Sequence, residues 1–113
     1  MKIEFIPLEQ TPAQSFGILL NEQECRISVY MRGKDLYFDL YKDNEPIYLG
    51  SICYDRTDLT PYQYRGFDGH IFFVDAEGKS NPDYKLFDER FFLAYVYEET
   101  NQDWDNASIW KVW

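Results

Sequence analysis

The stretch "ECRISVYMRGKDLYFDLYKDNEPIYLG", Glu24 to Gly50, decides the fold. In its first run Cys25, Ile27, Val29 and Met31 occupy one set of alternate positions, and Arg26, Ser28 and Tyr30 the other. Side chains of a strand point to opposite faces in turn, so this is the pattern of a half-buried strand. The glycine-containing turn "RGKD" follows, and "LYFDLY" repeats the alternation. Leu36, Phe38 and Leu40 point one way, Tyr37, Asp39 and Tyr41 the other. The two runs read as a hairpin. "KDNE" makes the next tight turn, because Asp and Asn tolerate left-handed backbone and bond to it. "PIYLGSICY" is a further strand, with Gly50 marking a bulge or a close contact.

Outward from this hairpin the same signals recur. "IEFIP" is a first strand closed by Pro7, since proline has no N–H to give to a ladder. "SFGILL" is a second. Beyond the hairpin, "HIFFVD" and "FLAYVY" are strands, "AEGKSNP" is a loop, and "DYKLFDERF" holds one short helical turn. A long helical pattern and an internal repeat are both missing. The expectation is an all-β domain, a small sandwich or barrel of about seven short, mostly antiparallel strands, over residues 1–97. Residues 98–113 form a tail that either docks on a partner or folds back as a closing strand. A chain of 113 residues buries roughly 65% of its unfolded surface, enough for one core without disulfides.

The formal net charge of -9 argues against a nucleic-acid backbone or an anionic membrane as partner, since both need a basic patch. The opening residues carry no long apolar segment after Lys2, and no run is long enough to cross a bilayer. Cys25 and Cys53 are too few for a disulfide framework and lack CxxC spacing, so they read as free buried thiols of a chain made in a reducing cytoplasm.

Candidate chemistry is sparse. With His70 the only histidine, a four-ligand zinc site would need both cysteines and a carboxylate to converge on it, and the spacing does not suggest that. A Cys–His nucleophile pair needs a partly exposed thiol, whereas Cys25 alternates with Ile27 and Val29 toward the interior. Carboxylates are numerous, but Asp39 falls on the outer face by simple alternation. "DAEGKSNPD" groups oxygen ligands without the regular ligand run or closing Glu of an EF-hand. Phosphate-cradling glycine motifs are missing. No catalytic residue, metal site or cofactor is nominated.

The aromatic residues remain. Tyr37 and Tyr41 lie on the outer face of one strand and Tyr30 opposes them across the hairpin. Such a row suits a protein interface, a covering second sheet, or sugar stacking. The corner "PYQYRGFDG", Pro61 to Gly69, has the proline and glycines of a shaped turn anchored by Tyr62, Tyr64 and Phe67. If it meets a partner instead, Arg65 and Phe67 are the candidates. In "SIWKVW" Ile109, Trp110, Val112 and Trp113 fall within five residues, and Trp110 and Trp113 are the contact candidates of the tail.

The order of features is informative in its own right. The early "IPL" and "QSF" lead to the paired strands ending in "LYFDLY" and to the Glu–Pro–Ile, Gly and Cys segment. The Leu59–Tyr62–Tyr64 corner, "FFVD", and Pro82–Asp83–Tyr84 before the last strand complete the set. From Ile3 to about Val96 the chain resembles the small baseplate plug family of contractile-tailed phages, named for its member in a minimal cyanophage. The resemblance implies a β-rich structural protein near the central hub of the virion tail baseplate, made in the bacterial host cytoplasm, without catalytic activity. Its partners would be other baseplate and hub proteins, with self-association also open. The alternative is a small carbohydrate-binding module using the tyrosine face.

Overall fold

The computed structural model describes residues 1–62 and 66–98. Seven strands form among them: β1 (Lys2–Ile6), β2 (Ala13–Leu20), β3 (Gln23–Arg32), β4 (Asp35–Lys42), β5 (Glu45–Ile52), β6 (His70–Asp75) and β7 (Phe91–Tyr97). They make two antiparallel sheets, β2-β3-β4-β5 and β1-β7-β6. The all-β expectation holds, and of its two forms the structure is the sandwich.

The four-stranded sheet is a meander whose register is set by its turns. Leu20 pairs with Gln23 around Asn21 and Glu22, and Lys42 pairs with Glu45 around Asp43 and Asn44. All four turn residues have positive φ, between 48° and 67°. That is the two-residue turn whose twist matches the strands it joins. Gly33, at φ 64°, serves the turn between β3 and β4. The bulge expected at Gly50 is present: the β4–β5 register shifts between Phe38 and Leu40, and Gly50 sits at φ 68°. The carboxylate of Asp39 accepts the Gly50 N–H at 2.6 Å, so the group displaced from the ladder is still paired.

The three-stranded sheet joins the two ends of the described chain. β1 runs beside β7, with Ile3 opposite Val96 and Ile6 opposite Leu93, and β6 pairs with the other side of β7. The segment after β5 protects the free edge of β6. Arg56 N–H donates to the Phe73 carbonyl and Leu59 N–H to that of Ile71, at 2.7 and 2.8 Å. The predicted helical turn is a single 3-10 turn, Tyr84–Leu86, capped by the Asp83 side chain.

The core lies between the sheets. Ile27, Phe38 and Leu40 from one meet Ile71, Phe73, Leu93 and Tyr95 from the other. Phe73 stacks on Phe87 with ring centroids 5.6 Å apart. Phe67, which carries the corner into this core, has no exposed surface and packs on Tyr95 at 5.6 Å. The corner is held on its other side by Tyr48, whose hydroxyl donates to the Tyr62 carbonyl at 2.6 Å and accepts the Tyr62 N–H at 2.9 Å.

Gly69 is the position where this corner tolerates no side chain. Its φ is 110°, and a Cβ there would lie 2.9 Å from Cζ and 3.0 Å from the hydroxyl of Tyr95, itself fixed in the core. Gly69→Ala is expected to destabilise the fold by about 2–4 kcal/mol, combining backbone strain with overpacking. A urea melt measures it. A midpoint equal to wild type would show that Tyr95 moves aside at no cost.

Candidate interaction surfaces

The outer face of the four-stranded sheet carries the tyrosines in two rows. One runs Ala13, Tyr30, Tyr37, Ile52 across the strands, the other Gly17, Arg26, Tyr41, Pro46. Between them lies a polar row, Ser15, Ser28 and Asp39, in which the Ser28 hydroxyl donates to that of Ser15 at 3.0 Å. Tyr30 and Tyr37 stack at 6.0 Å, and the Tyr30 hydroxyl donates to Asp39 at 3.0 Å. Burial and that bond raise the Tyr30 pKa above the ordinary phenol value, so the hydroxyl stays protonated at neutral pH. All three tyrosines are partly exposed, and no second sheet of this chain covers them among the described residues.

The other nominated residues have different fates. Phe67, read as an anchor of the corner and, if the corner met a partner, as a contact residue, is the anchor: it is wholly buried against Tyr95, which corrects its place among the contact candidates. Arg65, Trp110 and Trp113 lie outside the described residues.

Sequence reading missed a second surface. On the outer side of the three-stranded sheet the cross-strand rows read Ile3–Val96–His70, Phe5–Ala94–Phe72 and Phe92–Val74. Sandwich strands normally turn polar residues outward, and in these rows the only polar side chain is that of His70. Ile3 is 58% exposed and Phe5 63%, while Phe72, Val74, Phe92 and Val96 are partly exposed. Phe5 meets Phe92 edge-on at 5.8 Å. Two shallow grooves of about 500 Å³ each mark the ends of this face. One lies beside Pro7, Val74 and Phe92, the other beside Met1, Ile3 and Val96 with Arg56, Asp58 and His70 at its polar side. The signal was present in "HIFFVD" and "FFLAYV": strands apolar at consecutive positions are covered on both faces.

His70 and Asp75 are tied into structure. His70 Nδ1 lies 2.7 Å from Asp58, at the rim of the apolar face. Asp75, the first residue of the oxygen-rich loop, is buried and accepts from Arg90 through two nitrogens at 2.8 and 2.9 Å. It also takes the N–H groups of Glu77 and Ser80. These donors use the carboxylate to shape the loop. Among the described residues no group of His, Cys, Asp and Glu is placed to hold a metal ion, and no helix is long and apolar enough to cross a membrane.

Residues 3–99 match the family described as cyanophage baseplate Pam3 plug gp18. The chain belongs to this baseplate plug family. The match spans both sheets and every strand except the first residue of β1. No curated protein matches the chain.

Two outcomes follow from the buried groups. The Arg90 guanidinium holds the Asp75 carboxyl well below the usual carboxylate range. A lowered folded-state pKa contributes stability that is complete above the unfolded value of about 3.9 and is lost as pH falls below it. Asp75→Asn should therefore lower the melting temperature at pH 7 and flatten the acid-side decline seen in wild type. Parallel acid limbs in the two proteins would remove Asp75 from that decline. Burial pushes the Cys25 thiol up to about 11 against the opposing pull of Lys42, and pushes Cys53 higher still. Neither should react with Ellman's reagent at pH 8 until the chain is unfolded, when both should.

Proposed function

We propose that this chain is a structural component of a phage tail baseplate, in the central hub or plug region, acting through protein–protein contacts and without catalysis. The observation that carries the reading is the family match over residues 3–99, which supplies the baseplate context. The surface best suited to the contacts is the Tyr30, Tyr37 and Tyr41 face. Tyrosine combines a large apolar ring with a wet hydroxyl, which suits a surface that is solvated before assembly and buried after it. The polar row through Ser15, Ser28 and Asp39 gives that face hydrogen-bonding groups to fix an orientation. Its partners are then other baseplate or hub proteins, its location the virion tail, and its synthesis the host cytoplasm. Tyr30 and Tyr37 turn a ring face toward each other and the Tyr30 hydroxyl is committed to Asp39, which favours a protein contact over sugar stacking.

Mass spectrometry of purified tails should find the chain at a fixed ratio to the other baseplate proteins. Its absence from tails and from assembly intermediates would overturn the proposal. Tyr41→Ala, partly exposed and outside the core, should leave the melt nearly unchanged. It should weaken binding to the isolated partner by about 2 kcal/mol, roughly 30-fold, if Tyr41 is an anchor of the interface.

A further inference from the structure

The apolar face of the three-stranded sheet poses a question that the baseplate reading does not answer. Ile3, Phe5, Phe72, Val74, Phe92 and Val96 form one continuous patch. Soluble chains seldom leave such a patch in water, because it drives association. The tyrosine face can wait for a partner. This one needs a cover in the free chain as well, and a cover that belongs to the same chain is present at every concentration.

The chain holds a segment of matching chemistry. Residues 99–113 begin with a polar run containing Glu99, Asp103 and Asp105, and end in Ile109, Trp110, Lys111, Val112 and Trp113. Glu98, the last described residue before it, stands beside the apolar face, with its carboxylate 3.6 Å from the Met1 amino group. The preceding strand β7 is the central strand of that sheet. The lengths also agree. From Glu98 to Ile109 is a step of 11 residues. A flexible chain of that size spans roughly 18 Å on average and at most about 36 Å when extended. The 7 residues of β7 cover about 23 Å. A linker whose mean reach is near the distance to be covered gives the highest effective concentration. The two grooves lie at opposite ends of the face, each with room for a large aromatic side chain.

We propose that residues 109–113 seat on the outer face of the three-stranded sheet of their own chain, with Trp110 and Trp113 entering the two grooves. The polar run 99–108 is the return loop. The tail thereby completes the sandwich, covering the side that the described strands leave apolar.

All three tryptophans lie in this segment, Trp104 in the return loop and Trp110 and Trp113 in the seated end, so in a Trp104→Phe background tryptophan fluorescence reports on the seated pair alone. The isolated full chain in that background, excited at the red edge where tyrosine does not absorb, should emit at a blue-shifted maximum and resist acrylamide quenching. Both properties should persist on dilution. Phe5→Asp, on an edge strand and largely exposed, should shift the emission to the red while the far-ultraviolet circular dichroism stays native. Ile3→Asp serves in the same way if Phe5→Asp fails to fold, and Tyr37→Ala on the other sheet should change nothing. Water-exposed emission from the Trp104→Phe chain would overturn the proposal. So would a blue shift that Phe5→Asp and Ile3→Asp leave intact, or one that disappears on dilution together with a dimer, which would put the segment on a second copy. The measurement uses the isolated chain, so it succeeds or fails independently of whether the protein is found in tails.

Discussion

The sandwich depends on one buried side chain, Gln23. Its amide nitrogen lies 3.0 Å from the Leu20 carbonyl, 3.1 Å from that of Asp68 and 3.1 Å from the Tyr95 hydroxyl. Its carbonyl oxygen accepts the Asp68 N–H at 2.9 Å. Tyr95 in turn donates to the Asp68 carbonyl at 2.6 Å. Three parts of the chain meet there: the start of β3, the central strand of the opposite sheet, and the corner leading into β6. Apolar contact drives the sheets together but is non-directional. A buried polar group must find its partners in one geometry, so this joint selects how the sheets sit. Burial raises the Tyr95 pKa above the ordinary phenol value, which keeps the hydroxyl protonated and able to donate.

The corner that opens with Pro61 follows from that joint. Asp68 must present both its N–H and its carbonyl to the Gln23–Tyr95 pair, which brings the backbone at Gly69 against the Tyr95 ring. Phe67 then has only one place to go, into the core beside the same ring. On the far side, Thr60 closes the loop, its hydroxyl donating to the Gly69 carbonyl at 3.2 Å and accepting the Ile71 N–H at 3.2 Å. Here tyrosine, glycine and phenylalanine serve packing, although the same residue types in an open loop would suit recognition.

With the sheets joined in this way, the two outer faces differ in chemistry. The face of the four-stranded sheet is amphipathic, with tyrosines flanking a row of hydroxyls and a carboxylate. Such a surface is compatible with water. The face of the three-stranded sheet is apolar in all three cross-strand rows except at His70. The proposed function would use the first face for neighbours, and the proposed seating of residues 109–113 would cover the second.

Much of the fold was legible in the chain. Period-two alternation identified β3 and β4, because a pleated backbone sends alternate side chains to opposite faces whatever else is nearby, and the other strands were read from β-branched and aromatic runs between turn signals. Asp43 and Asn44 announced their turn through their tolerance of positive φ, and Gly50 announced its bulge. The Asn21–Glu22 turn was not legible, since glutamate in left-handed backbone there is imposed by the pairing of the flanking strands. The tyrosine face was readable from alternation alone, and the family resemblance from the order of the motifs. The choice between the two readings of Phe67, anchor or contact, and the apolarity of one whole outer face were decided only by tertiary structure. Local sequence records which residues share a face of one strand. Which strands lie side by side, and so whether apolar positions from β1, β6 and β7 add up to a patch, depends on contacts between residues far apart in the chain.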